Sequence, residues 1–257
     1  MKKNILLLSC FLLFTISSQS QVLISLLLGD KLNSDKIEFG LETGLNFEQI
    51  EGFESNDRRT FFNIGFYFDL KLKNPDWSVY TGVLVKANQG LDNLTDNDLD
   101  FLGIDKQKHD DVVVEGDYKQ VINTFMIPAL LKYKYYEGFY VEGGMQFGWH
   151  TKAYVEFNSD NDDIEERVRY KNKDAMQKID AGFLGGFGYQ FKKGRKMTVG
   201  AKYYHGLVDI YKEKSGTKSN AFFVKVTIPV GVKKAEEKAA EKEKEAADKE
   251  AEDQLKE

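Results

Sequence analysis

The chain of 257 residues is poor in several things at once. It has one cysteine, Cys10, inside its first twenty residues. Removal of an N-terminal signal there leaves a mature protein with no disulfide and no thiol chemistry. It has three prolines and three histidines, so neither a proline-rich linker nor a histidine-dense metal centre has material to form from. Mean hydropathy is -0.46 and no apolar run reaches the length of a membrane-crossing helix, which excludes a helical membrane protein. Net charge is -5, which gives a nucleic-acid role no support.

What is present is aromatic and alternating. Aromatic residues make up 13% of the chain, and 22 glycines suit curved strands with small inward side chains. In the stretch Ile122 to His150, Phe125, Ile127, Ala129, Leu131, Tyr133 and Tyr135 alternate with Thr124, Met126, Pro128, Leu130, Lys132 and Lys134. After Glu137-Gly138, Phe139, Val141, Met145, Phe147 and Trp149 alternate with Tyr140, Glu142, Gln146, Gly148 and His150. A period of two means strand, because successive side chains point to opposite faces. One face is apolar with aromatics near both ends, and the other carries charge, amide and glycine. That polarity, apolar out and polar in, belongs to a transmembrane β-barrel.

The same pattern predicts eight strands: near Ile37–Phe47, Thr60–Lys73, Trp77–Asn88, the two just described, Lys178–Lys192, Met197–Ile210, and one after Ser219. Their connections alternate long and short, with a moderate last loop over Glu213 to Ser219. Bacterial barrels have even strand numbers, short periplasmic turns and longer outer loops, which places both termini in the periplasm. The fold expected is all-β, an eight-stranded antiparallel transmembrane barrel over residues 37–232 with a charged helical tail over 233–257. Lys2 and Lys3, the apolar run Ile5 to Ile16 and Ser18-Gln19-Ser20 read as a signal peptide over 1–20. Leu7-Leu8-Ser9-Cys10 is a rival lipoprotein box, with a short apolar run before it. Residues 21–36 hold a short apolar segment, Val22 to Leu32, which is a rim helix, a plug, or packing at the start of strand one.

Eight strands leave a lumen just filled by side chains, so charges inside must pair. The predicted lumen network is Glu38, Glu42, Asp69, Lys71, Lys86, Lys132, Glu142, Asp180, Lys202 and Lys225. Trp77, Tyr135, Phe139, Trp149 and Phe191 are the expected interfacial aromatics. No catalytic, cofactor-binding or metal site is expected. His150 and His205 stand near strand ends without a serine in register, so a lipid-cleaving triad lacks its nucleophile. Asp92, Asp96, Asp98 and Asp100, and Asp160, Asp162 and Asp163, cluster in long segments, but Phe101 and Gln107 stand where a calcium loop needs Gly and Glu. The tail from Lys233 is almost wholly Ala, Glu and Lys. It is a solvated helix or a coiled-coil contact with a periplasmic or secretion-machinery partner. Outer-membrane lipid is the other expected partner.

Several of these strands resemble one family. INTFMIPALLKYKYY is similar to the fourth strand of the PorT-like outer-membrane β-barrel family, and FGLETGLNF to its first. DAGFLGGFGYQF and VGAKYYHGLVDI resemble its later strands, with Lys202-Tyr203 where Arg-Tyr is usual. The likeness runs from Ile37 to Val232. It implies a small eight-stranded outer-membrane barrel of Gram-negative bacteria, in a family whose members mostly lack a defined activity. The name-giving member takes part in secretion of proteins to the cell surface. The resemblance leaves three readings: a structural or accessory barrel of envelope assembly and secretion, a barrel enzyme acting on lipid, or a narrow small-solute porin.

Overall fold

The computed structural model describes residues 32–159, 167–192 and 196–231. The expected signal, most of the Val22 to Leu32 segment, the acidic run from Asp160, the turn Lys193-Gly194-Arg195 and the charged tail lie outside the described residues. Twelve strands run in chain order: β1 (Ile37–Ile50), β2 (Arg59–Lys71), β3 (Trp77–Lys86), β4 (Gln89–Leu91), β5 (Lys108–His109), β6 (Val112–Val113), β7 (Gly116–Lys134), β8 (Phe139–Ser159), β9 (Arg167–Lys171), β10 (Ile179–Gln190), β11 (Thr198–Tyr211) and β12 (Lys214–Pro229). One helix, α1 (Asp96–Leu102), stands between β4 and β5.

Eight of these strands close a ring. The order is β7-β3-β2-β1-β12-β11-β10-β8, and β8 pairs back on β7. Every neighbouring pair is antiparallel, and Leu41 opposite Ile228 seals first strand to last. Closure leaves no free edge within the ring. The alternation read from the sequence is the wall itself. Phe62, Phe125, Ile127, Leu131, Phe147, Phe183 and Phe187 are exposed on the outside, while Tyr67, Tyr80, Tyr140, Tyr204 and Phe223 are buried inside. Glycines shape this interior. A side chain on Gly188 or Gly200 would collide with the Tyr140 hydroxyl, so the tip of Tyr140 fits only because both positions are bare.

At one end of the barrel the connections are tight. Asn74-Pro75-Asp76 joins β2 to β3, and Tyr136–Gly138 joins β7 to β8 with Glu137 and Gly138 at positive φ (61° and 99°). At the other end the sheet continues past the ring. β4 takes over from β3 on β7, with Gln89 opposite Ile122. β9 takes over from β10 on β8, with Arg169 opposite Glu156. Two bridges, Arg58 to Leu91 and Met176 to Tyr211, tie these extensions to the neighbouring walls.

The first long polar segment is therefore built structure rather than a plain loop. Gln89 to Tyr118 holds β4, α1 and the small β5–β6 hairpin. Thr95 caps α1, with the Asp98 carboxylate accepting in return from the Thr95 amide, and Gly103 ends it at φ 68°. The expected moderate loop over Glu213 to Ser219 is a correction: β11 turns into β12 at Lys212 and Glu213. Its polar residues read as loop, yet they stitch the bulged hairpin. Asp209 accepts from the Gly216 amide at 2.9 Å, and Thr217 accepts from the Tyr211 amide at 3.2 Å.

Candidate functional site

The lumen is the first candidate, because β1, β2, β7, β8, β11 and β12 each turn a charge into it. Lys202 Nζ donates to Glu42 Oε1 at 2.6 Å, and the Tyr80 hydroxyl donates to the other oxygen of the same carboxylate. Lys225 bonds Glu142, and Lys132 donates to Asp69 at 2.9 Å. Each ammonium also rests on an aromatic ring: Lys225 stands 4.2 Å from the centre of Tyr80 and Lys132 4.4 Å from that of Tyr140. Three buried ion pairs thus interlock with a stacked Tyr67–Tyr80 pair, centroids 5.4 Å apart. Tyr67, Tyr80, Tyr140, Tyr204, Phe223, Lys202 and Lys225 are all at most 2% exposed. Side chains fill the cross-section, as an eight-stranded ring demands.

The other predicted lumen charges fall elsewhere. Glu38 accepts from the Tyr67 hydroxyl at 2.8 Å near the turn end. Asp180 is buried but meets no lysine; its partners are Gln89 Nε2 and the Tyr204 hydroxyl, both at 2.8 Å. Lys71 and Lys86 are exposed and outside the network, which corrects their assignment. Lys71 is the last residue of β2, at the solvent-exposed turn-end rim. Lys86 follows a bulge: Ile64 faces Lys86 and Gly65 faces Leu84, so Val85 is the extra residue and the side chain beyond it changes face.

A second polar knot lies nearer the loop end, and the alternation pattern missed most of it. Glu48 accepts from Asn46 at 2.8 Å and from Ser219 at 3.0 Å; Gln89 reaches Asp180 and Ser219; His150 Nε2 donates to Gln89 Oε1 at 2.8 Å. His150 Nδ1 faces the Gln177 carbonyl, also at 2.8 Å. Glu48 continues the inward series Glu42, Gly44, Asn46 and was legible had strand one been carried one residue further. Gln89 was not, because it enters on β4 after a break. His205 points out of the barrel and meets Asn220 Oδ1 at 2.7 Å, so the two histidines serve opposite faces of the wall.

Above the ring the loop-end extensions form a cap with its own apolar core. Leu91, Leu94, Leu99, Tyr118, Val155 and Phe157 pack together, and Phe53 packs against Phe101 and Tyr211 at 5.2 and 5.7 Å. Lys214 sits 3.7 Å above the Phe101 ring, clasping α1 to the last hairpin. Buried Asp98 accepts from the amides of Glu54 and Ser55 at 2.6 and 3.0 Å and so pins the β1–β2 loop to the helix. Asp96 is held by Lys106, and Asp92 by Arg59. These acids are occupied by protein donors. Among the described residues no group of three His, Cys, Asp or Glu is placed to hold a metal ion.

The outer membrane protein beta-barrel domain family model matches residues 18–212. The chain belongs to that family. No curated protein matches the sequence. Solved structures similar to it include Ail, the attachment invasion locus protein of Yersinia pestis, at 12% identity, covering 76% of this chain and 99% of that one with a TM-score of 0.38. Neisserial surface protein A, NspA, is similar at 9% identity over 74% and 96%, TM-score 0.42. OprG of Pseudomonas aeruginosa is similar at 14% identity over 75% and 91%, TM-score 0.30.

An outer-membrane barrel must present apolar surface to lipid between two interfacial belts, and the aromatics expected there fall at the two ends of the ring. At the turn end Tyr135, Phe139 and Phe191 are exposed, Phe139 packs on Tyr189 at 4.9 Å, and Trp77 is half-buried against Tyr133 at 4.8 Å. At the loop end exposed Trp149 stands in register between Phe125 and Ile179. Beyond that belt β9 is fastened to β8 by one carboxylate. Burial pushes Glu156 up, but hydrogen bonds from Arg167 at 2.7 Å and Arg169 at 2.9 Å outweigh it and hold the group below the ordinary glutamate value.

Proposed function

We propose that this is a sealed, non-enzymatic barrel that holds a rigid cap at the cell surface, with the loop end outward and both termini in the periplasm. Its role on this reading is structural or accessory to envelope assembly and protein secretion, in line with the resemblance to the PorT-like family. The observation that carries the reading is the filled lumen: three ion pairs and four tyrosines occupy the section through which a solute would pass. A narrow porin needs a continuous wet path, and paired, ring-covered lysines leave little to hydrate. A lipid-cleaving enzyme needs a nucleophile against its base; His150 is engaged by Gln177 and Gln89, and His205 by Asn220.

The test has two arms. The purified full chain reconstituted in lipid bilayers should give no stepwise conductance and no sugar-driven liposome swelling; steady unitary currents would make it a channel. Affinity capture from outer membranes, with and without residues 232–257, should recover periplasmic or secretion proteins that depend on the tail. Identical captures would remove the tail from any partner role.

A further inference from the structure

The belt at Trp149 is followed at once by lysine. Lys152 lies three residues beyond Trp149 on β8, Lys171 closes β9 opposite Tyr154, and Lys173 and Lys178 flank the turn into β10. All four are exposed, and among the described residues none forms an ion pair. Of the acids nearest them among the described residues, Glu156 is taken by Arg167 and Arg169, Asp117 lies 3.4 Å from Lys119, and Asp174 is exposed. The far side of the same rim exposes Glu51, Glu54, Asp57 and Asp96.

Height decides what the lysines meet. A strand rises about 3.3 Å per residue, and with Thr151 bulged Lys152 stands two wall positions, roughly 7 Å, past Trp149. A tilt of about 40° turns that into about 5 Å along the membrane normal. The polar layer on each side of the hydrocarbon is about 5–8 Å deep, so Lys152 emerges at head-group level. Lysine is a compact point charge with three donors, suited to phosphate. Tyr154, stacked under Arg169 at 4.8 Å, adds a half-buried aromatic beside the patch.

We propose that the exposed rim bearing Lys152, Lys171, Lys173 and Lys178 binds the phosphate groups of the phosphorylated glycolipid that forms the outer leaflet of the outer membrane. This rests on the reading that the loop end faces outward. The site lies at the loop end of β8–β10 and shares no residue with the lumen network.

The test uses the full chain in detergent micelles, titrated with diphosphoryl lipid A, the same lipid with its phosphates removed, and phosphatidylglycerol. The variant K152Q/K171Q/K173Q/K178Q changes only exposed side chains, and K36Q/K73Q at the turn end is its control; retention of the heat-modifiable barrel band on gels checks that each is folded. The quadruple variant should bind diphosphoryl lipid A at least tenfold more weakly than the parent. The control should match the parent, and neither chain should prefer the dephosphorylated lipid. Equal affinity of parent and quadruple variant overturns the proposal, as does an equal loss in K36Q/K73Q. Phosphatidylglycerol bound as tightly as lipid A overturns the glycolipid assignment. Protease added to intact cells reads orientation separately: a segment 167–178 cut only after the membrane is opened overturns the outer-leaflet placement, whatever the titration gives.

Discussion

The two halves of β8 obey opposite rules. Up to His150 the even-numbered residues face in, among them Tyr140, Glu142 and Gln146, and the odd ones meet lipid. From Ala153 onward the odd ones face in: Ala153, Val155 and Phe157 are buried, while Lys152 is exposed. Thr151 is the hinge, an extra residue where the register slips from Thr124–His150 to Asn123–Lys152. A bulge of this kind changes the face of everything beyond it. In the membrane half the outside is oil, so apolar side chains go out and charges close on each other inside. In the cap half the outside is water, and the apolar side chains go in. The same strand serves both solvents because one residue was inserted between them.

Deleting Thr151 breaks that comparison most severely. Lys152, Tyr154 and Glu156 would turn into the cap, and Val155 and Phe157 out of it. Losing the burial of those two alone costs roughly 3–6 kcal/mol. The barrel band should survive on gels while residues 152–178 become cleavable by added protease; a cap as resistant as the parent's would show that the bulge is dispensable.

Removing one partner of a lumen pair should act on the other half. Lys202→Ala leaves Glu42 buried with only the Tyr80 hydroxyl, and such a break costs roughly 3–5 kcal/mol. The double variant E42Q/K202M removes both charges and should recover most of the lost urea midpoint in lipid vesicles. A double variant as weak as the single one would mean that the pair is not the cause.

The cap's own pin is weaker. Asp98→Ala frees the Glu54, Ser55 and Thr95 amides, at roughly 1–3 kcal/mol. Hydrogen exchange should speed up over residues 51–58 and stay unchanged over β10 and β11; uniform acceleration would mean that cap and barrel unfold as one unit.

Smallest is the pH response of β9. Glu156 has its pKa lowered in the fold, so the stability it lends is present above the unfolded value and is lost as pH falls through the folded one. Protection of residues 167–171 should therefore fade on acidification below the ordinary glutamate range, and Glu156→Gln should show the faded level at neutral pH. A pH-independent β9 in the parent chain would remove Glu156 as its fastener.

These effects fall unevenly on what could be read beforehand. Phe125 to Leu131 and Phe139 to Trp149 announced their faces, because inside a bilayer each position has one solvent on one side and the lumen on the other. Glu42, Lys202, Glu142 and Lys225 were readable as inward charges for the same reason. Who pairs with whom was not, since Lys202 and Glu42 lie 160 residues apart and meet only across a closed ring. Lys86 and Lys152 were misread or unread because a single bulge, invisible in composition, reverses the rule beyond it. Gln89 and Ser219, joined at 3.0 Å, sit on a short strand and in a segment rich in polar residues, where alternation carries no signal.

The sequence by itself determined the number of strands in the ring, the apolar band and its aromatic borders, because lipid tolerates no unsatisfied backbone and so forces a strict period of two. Only the tertiary structure decided the pairing of the lumen charges, the bulges that turn the wall inside out at the rim, and the cap. Those depend on which strands the closed ring places opposite one another, and long-range register of that kind is a property of the closed sheet rather than of any one segment.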